Sequence, residues 1–369
     1  MRFFTFIIAI IMALFSLPVD VIGQPKSLDK YVNRIVYEQV DFKKTPGVII
    51  GIIEGDSTYI YAYGELEKEG GTITKNTIFE IGSVTKVFTA SVLQGLVNDS
   101  LISYDDPVTK YIDLPNLNFE GKLITVRDLA IHFSGLPKLP HNFGTREKDP
   151  RNPYANYSNH DLLKFLTGFF PNITPGEDYH YSHLGYVLLA KVMEKAANKS
   201  IINLYDEYLL APLDMTATKL MLEEGDESEM AAGYSLGGDK VGPWTYQSFE
   251  AALGMKSSMR DMLIFVKANL NEFHDLNKMF APIHVEQGPT DKPKVFSGTG
   301  WHIVHPRKNS NSIIAHSGVT EGHRTFVAFV KETQTGIIVL SNSENSQNGI
   351  GGFILQHVNK GFKRKGDLE

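Results

Sequence analysis

The stretch Phe79-Glu80-Ile81-Gly82-Ser83-Val84-Thr85-Lys86-Val87-Phe88 sets a serine and a lysine three positions apart where an extended segment turns into a helix. Residues i and i+3 share one face of a helix, so the Lys86 ammonium falls near the Ser83 hydroxyl. A serine hydroxyl is a poor nucleophile until a neighbouring base takes its proton or a cation eases its loss. The first turn of a helix also presents unpaired N–H groups and the positive end of the helix dipole, both suited to an oxyanion. The pattern fits acyl transfer through an acyl-serine.

The motif needs company to carry weight. A chain of this length holds about one or two Ser-x-x-Lys by chance. Ser27-Leu28-Asp29-Lys30 is a second copy and reads as an ordinary helix start. Taken alone, Ser83 is equally a serine that caps its helix.

The chain has 369 residues, 42% of them hydrophobic, enough for a large core. Its formal net charge of −6, with no basic stripe, argues against a nucleic-acid partner. Lys363-Arg364-Lys365 reads as a solvated tail. Arg2, the apolar run Phe3 to Leu17 and the small residues Val21 and Gly23 read as a secretory signal, residues 1–23, cleaved before Gln24. The apolar run is short for a bilayer span. No cysteine is present, so neither disulfides nor a lipoprotein cysteine contribute. The expectation is a periplasmic or secreted protein with no stable membrane insertion once the signal is removed.

Periodicity predicts a helix over Leu28 to Val40, then a hairpin of Gly47 to Glu54 and Ser57 to Gly64 around Gly55-Asp56. The Ser83 helix should reach about Asn98, burying Val84, Val87, Phe88, Val92 and Leu96. From Thr125 to His274 the pattern is mostly helical, with helices at Val126–His132, His160–Thr167, Leu184–Ala197, Ile201–Leu210 and Met259–Asn271. Leu136 to Tyr157, rich in Pro, Asn and charge, reads as a surface loop. Ser312–His316, Thr325–Val330 and Ile337–Ser341 read as strands, and Ile350 to Phe362 as a closing helix. Strands at both ends with helices between suggest an α/β protein with one sheet shared by the termini. Its site would lie in the crevice against the helical insert. The expected division is 28–80 plus 295–369 for the sheet part and 81–294 for the helical part.

Two further constellations follow the serine motif. One is Tyr181-Ser182-His183-Leu184-Gly185-Tyr186, after Pro175-Gly176-Glu177. The other is His316-Ser317-Gly318 at a strand end, before Thr320-Glu321-Gly322. In this order the chain resembles the serine β-lactamase and penicillin-binding-protein superfamily. The likeness is to the branch of class C β-lactamases, D-alanyl-D-alanine carboxypeptidases, D-aminopeptidases and β-lactamase-like esterases. Leu129-Ala130-Ile131-His132-Phe133-Ser134-Gly135-Leu136, Asp106-Pro107-Val108-Thr109-Lys110-Tyr111, Gly300-Trp301 and Leu340-Ser341-Asn342 extend the resemblance over nearly the whole mature chain.

The resemblance implies an antiparallel sheet flanked by helices, with a large helical insert. It implies Ser83 as nucleophile, Lys86 as proton acceptor or electrostatic aid, and Tyr181 as proton relay with a phenol pKa lowered by nearby cations. It implies an oxyanion hole from the backbone N–H groups of Ser83 and Val319, and neither metal nor organic cofactor. His183, His316, Ser317 and Gly318 would contact substrate. Two departures stand out. His183 occupies a position that is usually asparagine. His316 stands where classical β-lactamases carry the lysine that faces a substrate carboxylate, and histidine titrates near neutrality.

The first expectation is an exported hydrolase of β-lactam or D-amino-acid peptide and amide substrates. The alternatives are a carboxylesterase of the same fold and a non-catalytic module that binds penicillins or peptidoglycan fragments. His132 reads as structural and bonded to backbone. His302, His305 and His323 lack zinc-ligand spacing. Asp105 and Asp106 read as turn residues, and Asn348-Gly349-Ile350-Gly351-Gly352 as a loop entering a helix.

Overall fold

A computed structural model describes residues 25–68, 70–144, 150–272, 274–307, 310–345 and 348–361. The expected signal segment 1–23 and the Lys363-Arg364-Lys365 tail lie outside the described residues.

One nine-stranded antiparallel sheet organises the molecule. Its strands are β1 (Gly47–Glu54), β2 (Ser57–Glu67), β3 (Gly70–Thr72), β4 (Gly288–Pro289), β5 (Val295–Ser297), β6 (His302–Val304), β7 (Ile313–Val319), β8 (Arg324–Val330) and β9 (Thr335–Ser341). Their order across the sheet is β4-β5-β6-β7-β8-β9-β1-β2-β3. The two ends of the chain meet where β1 pairs with β9, with Ile50 opposite Val339 and Gly51 opposite Ile338.

Alternation along β1 sorts its side chains between two faces. Val48, Ile50 and Ile52 join Val339 and Ile337 under two helices, α1 (Lys26–Gln39) and α7 (Asn348–Gly361). Leu28, Val32, Ile35 and Val36 from α1, and Ile350, Ile354, Leu355 and Val358 from α7, complete that layer. Ile49 and Ile53 face the other way and join Val327, Phe329, Ile338 and Leu340. There α6 (Met259–Leu270) crosses β1 so closely that a Cβ on Gly51 would fall 2.5 Å from the Met259 sulfur.

The same apolar cluster continues into α2 (Thr85–Asn98), α3 (Val126–Ala130), α4 (Asn159–Gly168) and α5 (His183–Ala197). From Thr85 to Leu96, α2 is buried all round, as suits a helix at the centre of a core. Side-chain caps set several starts: Thr125 and Ser158 close capping boxes with Asp128 and Asp161, and Ser182 caps α5 through Gly185 N at 2.8 Å.

The differences from the sequence expectations are local. Of the 136–157 stretch read as a surface loop, Leu136, Tyr154 and Tyr157 are buried in the helical core. The middle of the chain also contains two-residue strand pairs, Asn118–Phe119 with Lys122–Leu123 and Gly233–Tyr234 with Lys240–Val241. Ile78–Glu80 pairs with Lys256–Ser258 apart from the main sheet. The helix expected to run to Leu210 keeps α geometry only over Ile201–Tyr205 and widens to a π turn over Asp206–Leu210. The strand expected to stop at His316 continues to Val319. No helix among the described residues is long and apolar enough to cross a membrane.

Candidate active site

Ser83 lies in a 3-10 turn, Gly82–Val84, that leads into α2. Its hydroxyl caps neither this turn nor the helix, so the capping role open to it from sequence is not the one observed. Thr85 braces the turn instead, donating to Gly82 O at 2.6 Å and accepting from Met255 N at 3.0 Å. The turn packs directly against the end of β7. Gly82 has φ +49, and a Cβ there would fall 2.7 Å from Val319 N. A Cβ on Gly318 would fall 1.9 Å from Ile81 O and 3.1 Å from Ser83 N. Glycine at both positions is therefore what lets the two backbones meet.

Lys86 is wholly buried. Its Nζ lies 3.3 Å from Ser83 Oγ, 3.0 Å from His183 Nδ1 and 2.9 Å from Ala252 O. Burial, then the charge of Lys138, holds the Lys86 amine well below the usual lysine range. No carboxylate stands among those neighbours to oppose the shift. The Tyr181 and Tyr186 rings lie 5.1 and 5.7 Å from the same Nζ.

Tyr181 lines the same cleft as Ser83. The expectation of a lowered phenol pKa is overturned. Burial pushes the Tyr181 phenol up, and the nearby Ser83 hydroxyl recovers only part of that. Nearby cations cannot win, because the nearest amine, Lys86, is itself driven towards neutrality.

The histidines differ in their ionisation from the sequence expectation. His316 is 4% exposed and lines the cleft with Ser83. Burial, then His302 and Lys86, pushes it well below the ordinary histidine value, so it does not titrate near neutrality. His183, the first residue of α5, is likewise held low by burial and by Lys86, and its ring packs edge-on to Tyr181. His132, at φ +66, accepts from Ser182 N at 3.1 Å through Nδ1. This backbone bond fixes the turn that carries Tyr181. His302 is lowered to about 4, chiefly by burial, and shares a 3.1 Å hydrogen bond with the Tyr179 hydroxyl.

Ser83, Tyr181, His183, His316, Ser317 and Val319 all line one cleft of about 510 Å³. Lys86 sits beneath it, and Gly318 in its wall. Sequence reasoning gave no role to Lys138, Tyr179, Trp244 and Lys292, which also line this cleft, and considered His302 there only as a zinc ligand. Tyr179 was within reach, two residues before Tyr181 in an extended segment and so on the same side. Lys138 and Lys292 sit in loops with no signature. His305 pairs instead with Glu286, and His323 with Glu80. Asp106 binds Lys110 and Tyr111, and Asp105 binds Arg127.

In sequence and in fold the chain is similar to known proteins. The sequence model of the family described as Beta-lactamase matches residues 32–356. A beta-lactamase of Escherichia coli (strain K12) is 25% identical over 86% of this chain and 89% of its own length. The Unguisins hydrolase ungD' of Aspergillus campestris is 24% identical over 91% of this chain, and Protein flp of Staphylococcus aureus (strain N315) 23% over 84%. The matches span 65% and 62% of those two longer proteins. A solved class C beta-lactamase superposes with a TM-score of 0.78 at 21% identity, over 92% of this chain and 97% of its own. The chain therefore belongs to the beta-lactamase family and is a serine hydrolase of the β-lactamase and penicillin-binding-protein superfamily.

Proposed function

We propose that this protein is an exported hydrolase that cleaves D-amino-acid peptides, amides or β-lactams through an acyl-Ser83 intermediate. The observation that carries the reading is a buried Lys86 amine, held towards neutrality, 3.3 Å from the Ser83 hydroxyl. Ser83 Oγ attacks the carbonyl and its proton passes to Lys86 Nζ. The backbone N–H groups of Ser83 and Val319 receive the oxyanion. The leaving group departs with a proton supplied through Tyr181, which its raised pKa keeps as a phenol donor. Water then attacks the acyl-serine, and Ser83 regains its proton as the acid product leaves.

Among these substrates, amides and peptide bonds with no carboxylate beside them stand ahead of β-lactams and carboxy-terminal D-alanyl-D-alanine peptides, because His316 offers no fixed charge to a carboxylate. The same observation favours a second reading, a carboxylesterase, whose substrates carry no such charge. The test is turnover of nitrocefin, a D-alanyl-D-alanine peptide, a D-amino-acid amide and p-nitrophenyl acetate by wild type and Ser83→Ala. Fluorophosphonate labelling accompanies it. Labelling at Ser83, with all turnover lost in Ser83→Ala, is expected. Binding without turnover would favour the non-catalytic module. Recovery of a mature chain starting near Gln24 from the periplasm or medium would test export.

A further inference from the structure

His316 holds one ring nitrogen on a backbone oxygen and leaves the other bare. Nδ1 lies 2.9 Å from Ser317 O. A carbonyl oxygen only accepts, so Nδ1 carries the proton and Nε2 is an acceptor. Nε2 is buried, and among the described residues no protein group lies within hydrogen-bond reach of it. A buried acceptor left unpaired is costly and calls for a partner from outside the fold. The ring belongs to the wall of the Ser83 cleft. Its aromatic neighbour His302, at 5.2 Å between centroids, is partly exposed, so a ligand in the cleft reaches this edge as the His302 ring moves aside and Tyr181 stays in place.

We infer that His316 Nε2 accepts a hydrogen bond from the substrate, so that the cleft selects acyl donors bearing an N–H or O–H beside the scissile carbonyl and not a carboxylate. A carboxylate presents only acceptors to a bare acceptor, and the two repel. The inference rests on the acyl-serine reading above and narrows its substrate class. It also replaces the role His316 would have as a lysine substitute. The position is the same, but the polarity of the contact is reversed.

The test compares p-nitrophenyl esters of N-acetylglycine, N-acetylsarcosine, succinic acid and butyric acid. Each specificity constant is normalised to the ester's own hydroxide rate and to the fraction of Ser83 that a fluorophosphonate labels. N-acetylsarcosine differs from N-acetylglycine by a methyl in place of the amide hydrogen. An O–H source is tested by the matching glycolate and methoxyacetate esters. Wild type should prefer the donor-bearing member of at least one pair by roughly 10- to 100-fold, the range set by an unpaired buried acceptor. His316→Leu should bring that ratio towards one. Should His316→Leu not fold, His316→Lys is read in its place, and its donor-only ammonium should invert the order in favour of the succinate ester. A wild-type ratio near one in both pairs, or a succinate ester already preferred by wild type, overturns the inference while leaving the acyl-serine reading intact. No labelling and no turnover of any ester overturns both.

Discussion

Lys86 shows how one side chain takes its chemistry from its surroundings. Its neighbours are a hydroxyl, an imidazole nitrogen and a carbonyl, and burial removes the water that would hold it as an ammonium. If it is the base for Ser83, Lys86→Met should lower the acylation rate by about 10²- to 10⁴-fold, measured as the rate of fluorophosphonate labelling, with the unfolding midpoint retained. The amine must be unprotonated to act, so acylation should rise with pH through the lowered Lys86 value and level off well below the usual lysine range. A rise deferred to about pH 10.5 would mean that burial does not tune this group. Tyr181→Phe should remove the donor to the leaving group. Amides, with poor leaving groups, should lose about 10²-fold or more and p-nitrophenyl esters much less, because p-nitrophenolate leaves without a proton. Equal losses on both would assign Tyr181 to binding.

At the scale of elements, the site is a seam between the Ser83 turn and the end of β7. Gly318→Ala tests that seam, since its Cβ would fall 1.9 Å from Ile81 O, a backbone atom with little room to move. The strand should be forced off the turn. A shift of about 1 Å can cost about 10²-fold in rate, and overpacking about 1–3 kcal/mol in stability. Both are read by kcat/KM and urea midpoint, and full activity would show that Val319 need not lie against Ser83. The serine-to-helix junction, the His316 strand and the helix after Tyr181 were all legible, because their apolar spacing and turn residues are local signals. The short strands β4 and β5 were not, because two- and three-residue strands have no period to detect and exist only by pairing with β6 and each other. The buried ends of the 136–157 stretch were missed for a related reason. Tyr154 and Tyr157 pack on Phe143 and Phe249, and the contact with Phe249 has no sequence proximity to betray it.

At the scale of the molecule, a buried network ties distant segments behind the site. Glu80 accepts from Thr320 at 2.8 Å and from Trp244 N at 2.8 Å, and lies 3.2 Å from His323 Nδ1, while His323 Nε2 reaches Ala231 O at 3.1 Å. Burial alone would raise the Glu80 carboxyl, but His323, Lys256 and Thr320 outweigh it and hold it below its ordinary value. A lowered carboxyl stabilises the fold fully above its unfolded value near 4.5, and the gain is lost as pH falls through the folded value. Glu80→Ala should cost about 3–5 kcal/mol at pH 7, and the gap from wild type in urea midpoint should shrink as pH falls below 4.5. A gap that does not change with pH would mean that Glu80 acts by packing alone.

By itself the sequence determined the longer elements, the order of the three motifs and the pair of Ser83 and Lys86, because these depend on residue type and short spacing, and the family resemblance of those motifs added Tyr181 to the candidate set. Only the tertiary structure decided their ionisation. The phenol of Tyr181 is raised where cations were expected to lower it, and His316 is buried and held well below the histidine range where a group titrating near neutrality was expected. Spacing along a chain carries no record of burial, and it is desolvation by distant segments that sets which of these groups can hold a charge.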